Sequence, residues 1–175
     1  MYFQPGNNLL KDLTVQSGTV NLLNALSITG GSSPGTVKLN GGTLNTGDSL
    51  TFKSDASGTA RLGTITGAAT ISGKVVVERY IPAARGWRFL SVPISSTGAP
   101  TINETWQEGL TTASANPNLY PGYGVKISGG TTANGFDQSN TNAAFIKTYN
   151  SSTNAFVPLP ASPGTNIPIT SYAAY

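Results

Sequence analysis

The chain contains no cysteine and no histidine. Those two absences remove disulfides, thiolate chemistry, histidine-based triads and the ordinary zinc and copper sites. Charge is scarce as well: ten basic and seven acidic residues among 175, for a net charge of +3. A nucleic-acid surface needs lysines and arginines gathered on one face, and only residues 79–88 approach that density, so nucleic acid is not an expected partner. No apolar run nears the ~20 residues of a membrane-crossing helix, and membrane insertion is not expected. Leu, Glu, Lys and Gln never accumulate at helical spacing. No cofactor or metal is expected.

What the chain has in quantity is Thr, Ser, Asn and Gly. Thr favours strands, whereas Gly, Asn and Ser favour turns, so the mixture describes many short strands joined tightly, an all-β protein. From Leu13 the sequence also repeats itself. Asp12-Leu13-Thr14-Val15 aligns with Thr36-Val37-Lys38-Leu39, Gly18-Thr19-Val20-Asn21 with Gly42-Thr43-Leu44-Asn45, and Leu26-Ser27-Ile28 with Leu50-Thr51-Phe52, each at an offset of 24 residues. A third, less regular unit runs through Ala60-Arg61-Leu62, Thr64-Ile65-Thr66 and Val75-Val76-Val77. Three short strands per period of this length suit one coil of a parallel β-helix, whose successive coils stack inward-facing apolar residues into ladders. The expected fold is a short right-handed parallel β-helix over residues 9–78. Leu13, Val37 and a residue near Leu62 would share one ladder, and Leu26, Leu50 and Val75 another. An antiparallel sandwich with evenly spaced hairpins is the alternative.

The segment Val75–Ser95 changes the character of the chain, bringing Glu78, Arg79, Arg85, Trp87 and Arg88 within a few residues of one another. Ile81-Pro82 ends the strand run, because proline removes a ladder donor. Trp87 to Ile94 alternates in a way that reads as a strand buried on both sides. Asn103 to Gly109 reads as one short helical turn, with Asn103 as N-cap, Glu104 in the first turn and Gly109 as stop. Strands are expected at Tyr123–Ile127 and Phe145–Tyr149, and a hairpin from Tyr149 to Val157. Residues 79–175 should then form a compact, β-sandwich-like capping unit packed on the β-helix, with Arg79, Arg85, Trp87 and Arg88 packing the two units together. Met1-Tyr2-Phe3-Gln4 resembles the remains of an expression tag, so residues 1–8 are expected to be a tag-like or disordered lead. Ser171 to Tyr175 ends without a terminator, and the natural protein is expected to continue.

The string Val77-Glu78-Arg79-Tyr80-Ile81-Pro82, followed by Arg85-Gly86-Trp87-Arg88-Phe89-Leu90-Ser91-Val92-Pro93, resembles a recurrent module of large exported surface proteins of Bacteroidota. Similar motifs follow in order at Ile102–Gly109, Pro121–Gly124 and Gly135–Asp137. The resemblance implies export by the type IX secretion route, an adhesin-like role as one domain of a larger parent protein, and a secreted or outer-surface location. It also draws attention to Asp48-Ser49-Leu50, which matches a triplet that carries O-glycans on Ser49 in such proteins.

Chemistry is thinly represented. Glycosidases need two carboxylates flanking a cleft, and Glu78, Glu104, Glu108 and Asp137 are the candidates in the second half; no catalytic residue is assigned. Arg79, Arg85 and Arg88 could hold a sugar acid or phosphate, but local pairing with carboxylates or stacking on Trp87 is the favoured reading. Trp106, Tyr120, Tyr123 and Phe136, with Asp137, could form a platform for a glycan, although packing under the loops is favoured. Asn134, Asp137, Asn140 and Asn142 make an oxygen-rich loop that lacks the carboxylate density of a strong calcium site. The expectation is a non-catalytic structural and adhesive module, with carbohydrate binding as the alternative and glycan hydrolysis behind it; its partners would be glycans or other cell-surface components.

Overall fold

The computed structural model describes residues 8–82, 86–93, 98–107 and 125–169. The chain divides into two compact units, Met1–Arg85 and Gly86–Tyr175. Among the described residues both are built from strands and loops, with one five-residue α-helix in the second, so the protein is all-β.

In the first unit the strands are β1 (Leu9–Leu10), β2 (Asp12–Val15), β3 (Thr19–Asn21), β4 (Leu26–Ile28), β5 (Thr36–Leu39), β6 (Thr43–Asn45), β7 (Leu50–Phe52), β8 (Ser54–Asp55), β9 (Gly58–Thr59), β10 (Arg61–Ile65), β11 (Thr70–Ser72) and β12 (Val75–Val77). Leaving β8 and β9 aside, they assort into three parallel sheets, ordered β1-β4-β7-β12, β10-β5-β2 and β11-β6-β3. Each sheet therefore collects one strand from each successive repeat. The pairing register reproduces the sequence repeat: Leu13 lies against Val37, Val20 against Leu44, and Leu26 against Leu50. Leu62 continues the first row, Ile71 the second and Val75 the third.

Strands of three or four residues suffice because their alternation is strict. In β4 and β7 the first and third residues are buried and the middle one is half-buried, the period of two that a one-sided strand requires. Val37, Leu39, Leu44 and Leu50 of the middle rung are wholly buried and Phe52 nearly so, each such side chain contributing roughly 1.5–3 kcal/mol relative to exposure. The corners need glycine where rungs pass closest. Gly42 has φ +76°, and a β-carbon there would collide with the Gly18 carbonyl oxygen, which instead accepts from the Thr43 amide at 2.8 Å.

Polar side chains clamp one rung to the next. The Asp12 carboxylate accepts from the Thr36 amide at 3.0 Å, and Asn40 donates to Gln16 at 3.0 Å. The Thr46 hydroxyl donates to the Lys74 carbonyl at 2.8 Å, while Asp48 accepts from the Lys74 amide at 2.6 Å.

The third rung differs from expectation. Arg61–Ile65 is one strand with an irregularity between Leu62 and Ile65, and the strand above β6 is Thr70–Ser72, not Thr64–Thr66. The antiparallel hairpin β8–β9 was also not anticipated; it turns where Asp55 Oδ1 accepts from the Ser57 and Gly58 amides at 2.7 and 3.1 Å, an Asx turn that the string Asp-Ala-Ser-Gly encodes. Leu62 and Ile65 are each 44% exposed although their partners Val37 and Leu39 are buried.

The second unit is held by a core of Val92, Ile102, Ile127, Phe136, Ile146, Leu159 and Ile169. Its named strands among the described residues are β13 (Lys147–Asn150) and β14 (Ala155–Pro158), an antiparallel hairpin with Tyr149 opposite Phe156. The helix α1 (Ile102–Trp106) begins two residues earlier than expected. Thr101 is its N-cap, accepting from the Glu104 amide at 3.2 Å, while Glu104 Oε2 accepts from the Thr101 amide at 2.9 Å. This capping box was written in the sequence as Thr-x-x-Glu, and Asn103 lies buried inside the helix instead of capping it.

Two expected strands are not seen among the described residues. The described residues of Trp87–Ile94 are irregular, with Trp87 and Phe89 70% and 77% exposed; Val92 alone among them enters the core. Val125–Ile127 is also irregular, because its amides are satisfied elsewhere: Val125 donates to the Trp106 carbonyl at 2.7 Å and Ile127 to the Asp137 carboxylate at 2.8 Å. Tyr123, Gly124 and the expected stop Gly109 lie outside the described residues.

The stack predicts a graded response to truncation. Leu44→Ala in the middle rung should lower the free energy of unfolding by about 2–5 kcal/mol. Leu62→Ala, half-exposed on the last rung, should cost less than about 1 kcal/mol. Urea unfolding of the two variants beside the parent measures both, and equal losses would contradict the burial gradient.

Candidate functional site

Of the expected glycan platform, the structure keeps little on the surface. Phe136 is buried in the core; it follows Gly135, which turns the chain in the left-handed region at φ +80°, and its ring lies so close to Gly130 and Gly164 that a β-carbon at either would strike it. Trp106 is partly buried against the same core. Tyr120 and Tyr123 lie outside the described residues.

Asp137 is buried too, and it organises the loops around it. Its Oδ2 accepts from the Ile127 amide at 2.8 Å and from Gln107 Nε2 at 3.0 Å. Gln107 also donates to the Gly135 carbonyl at 2.9 Å and accepts from Asn103 at 3.3 Å, and Thr165 donates to the same Gly135 carbonyl at 2.8 Å. A buried carboxylate demands such donors, since leaving it unsatisfied costs more than any one bond returns. This network ties α1, the irregular segment at Ile127 and the Gly135 turn together, and its groups face inward. Asp137 and Phe136 are therefore packing residues and not parts of a surface platform.

Two of the remaining oxygen-rich positions are similarly occupied. Asn134 donates to the Ala161 carbonyl at 2.7 Å, and Asn142 Oδ1 accepts from the Gly129 amide at 3.3 Å. Among the described residues no three Asp or Glu side chains gather as a metal site would require. Next to them an open depression of about 980 Å³ is lined by Lys126, Gly130–Thr132 and Gln138–Asn142.

The other candidates are scattered. Glu104 serves the capping box. Glu78 accepts from Lys53 at 2.7 Å and from the Ser54 amide at 3.2 Å, in the first unit. Glu108 lies outside the described residues. Arg79 is exposed and donates to the Glu78 carbonyl at 2.9 Å, Arg88 is exposed, and Arg85 is not among the described residues. The Ser49 hydroxyl is half-buried and donates to the Gly47 carbonyl at 3.0 Å.

A cluster of surface aromatics gathers elsewhere, at the β13–β14 hairpin. Tyr149 and Phe156 face each other across the ladder with ring centroids 5.3 Å apart and planes at 61°. Phe89 adds a third ring 6.0 Å from Phe156 at 44°. Trp87 lies under Lys147, whose ammonium stands 4.8 Å from the ring centre, a favourable cation–π placement. All four rings are at least half exposed. Sequence reading picked out Trp87 but assigned it to packing, and missed Phe89, Tyr149 and Phe156 as surface residues. The available signal was the hairpin itself, since a period of two places Tyr149 and Phe156 on one face.

No protein-family model, curated protein or solved structure matches the chain. No helix among the described residues is long and apolar enough to cross a membrane.

The buried network makes a direct prediction. Asp137→Ala leaves the Ile127 amide and Gln107 without their shared acceptor and should cost about 2–4 kcal/mol of stability. Asp137→Asn, which keeps one oxygen, should cost less. Thermal unfolding by circular dichroism separates the two.

Proposed function

We propose that this chain is a non-catalytic structural and adhesive module of a secreted or cell-surface bacterial protein, with a short parallel β-helix as its first part. The observation that carries the reading is the in-register stacking of successive repeats in three parallel sheets. Such a stack is a spacer: every rung adds a fixed rise and leaves its outward side chains to vary. The resemblance of Val77–Pro93 and the later motifs to exported surface modules of Bacteroidota agrees with that role and suggests the type IX route. The carboxylates of Glu78 and Glu104 are engaged in an ion pair and a helix cap, which favours a structural reading over hydrolysis.

A second reading, carbohydrate binding, is favoured by the exposed aromatic face of the hairpin. It is compatible with the first, because an adhesive module must hold something.

Beads coated with the folded chain should attach to bacterial cells or to their extracted surface material more than beads coated with heat-unfolded chain. Equal attachment would count against the adhesive role. Release of reducing sugar from a glycan substrate, abolished by Glu104→Gln or Glu108→Gln, would replace the proposal with a catalytic one.

A further inference from the structure

We infer that the hairpin face formed by Trp87, Phe89, Tyr149 and Phe156, with Lys147, is a binding site for an acidic polysaccharide, one whose sugar rings carry carboxylates. The inference rests on the adhesive reading and names what that reading leaves open.

The first support is exposure against chemistry. Trp87 and Phe89 are 70% and 77% exposed, and Tyr149 and Phe156 about half. A chain with only 17 charged residues out of 175 has little to keep such a patch soluble, and contiguous exposed apolar surface of this kind marks a contact site. The rings are held in place. Lys147 covers one face of Trp87, Tyr149 packs edge-on to Phe156, and the Tyr149 hydroxyl donates to Asn154 in the turn. Fixed rings lose little entropy when a ligand stacks on them.

The second support is what surrounds the rings. The hairpin turn is Ser151-Ser152-Thr153-Asn154, all exposed and uncharged. Its other edge carries Asn150, whose Oδ1 accepts from the Ser152 amide at 2.9 Å. Apolar ring faces bordered by hydroxyls and amides suit a ligand that itself has CH faces and hydroxyl edges, which is the chemistry of a sugar.

The third support is charge. Lys147 sits among the rings, and the one ion pair between described residues, Lys53–Glu78, belongs to the first unit. Neither β13 nor β14 carries a carboxylate. Lys147 thus presents a cation to whatever stacks beside Trp87, and a carboxylate on the sugar is the complementary group.

Affinity electrophoresis of the full chain tests this, in native gels containing polygalacturonate or alginate and, in parallel, neutral dextran or galactan. A chain of net charge +3 is drawn weakly to any polyanion, so the deciding variants are those that leave charge untouched. Trp87→Ala and Phe156→Ala should each weaken retention by an acidic polymer about fivefold, the scale of one aromatic contact. Lys147→Gln should reduce retention by the acidic polymers and bring it to the level of the neutral ones. Phe89→Ala provides a further ring variant if either of the first two fails to give the parent circular dichroism spectrum.

No retention by either acidic polymer overturns the inference. So does retention that ring variants leave unchanged, which would be charge alone, or equal retention by neutral polymers that Lys147→Gln does not alter. Self-association of the parent that the ring variants abolish would assign the face to a second copy of the chain and also overturn it. The bead assay on whole cells stands apart from these results. Attachment without acidic-polymer binding would retain the adhesive module and remove only this ligand.

Discussion

A strand of three residues cannot bury an apolar side chain by itself, and this constraint shapes the first unit. Neighbouring strands and the side chains of the other sheets complete the enclosure, so each rung of the stack depends on its neighbours. The middle rung, with strands on both sides, buries Val37, Leu39, Leu44 and Leu50 completely. The last rung, with a neighbour on one side, leaves Leu62 and Ile65 half open. Parallel registration follows from the same need. Identical spacing between inward residues lets Leu26, Leu50 and Val75 align, and a slip of one residue would turn every one of them outward. The polar clamps from Asp12, Gln16 and Asp48 lock that registration.

The second unit solves its folding problem differently. Among its described residues there is little sheet, so few of these loop amides are satisfied in ladders, and a buried carboxylate does part of that work. Asp137 gathers amide donors from two segments distant in sequence, those of Gln107 and Ile127. Around it a small apolar core closes over Phe136 and Ile127. Because that core is filled by aliphatic side chains and one phenylalanine, the rings of the hairpin remain outside it. The unit thus has its polarity partly inverted: a carboxylate within and aromatics without. Such inversion is where binding surfaces are found, since neither feature is the cheapest way to fold.

Sequence reading succeeded where periodicity was the cause. The offset of 24 residues contained the pairing partners themselves, because in a repeating stack the residue above is the residue one period on. The same reasoning failed in the third rung. The irregularity after Leu62 and the turn before Thr70 shift the period there, and composition gives no warning of an inserted residue. In the second unit alternation misled. Trp87, Phe89 and Leu90 read as a strand because they are large and apolar, yet a strand also needs a partner edge, and Trp87 and Phe89 lean on the hairpin through their rings. Burial of Asp137 was illegible for a related reason: its donors come from Gln107 and Ile127, thirty and ten residues away. The Thr101–Glu104 capping box, by contrast, was local and readable, and was overlooked in favour of Asn103.

The four-stranded sheet has one strand more than the other two. It holds both β1 and β12, the first and last strands of the stack. The path therefore enters and leaves through one wall, about 14 Å apart at the usual strand spacing. Adding or deleting a whole rung would change that distance by one strand spacing and leave the wall, the strand direction and the inward faces as they are. Length in this unit is consequently a quantity that duplication can adjust without redesigning either end.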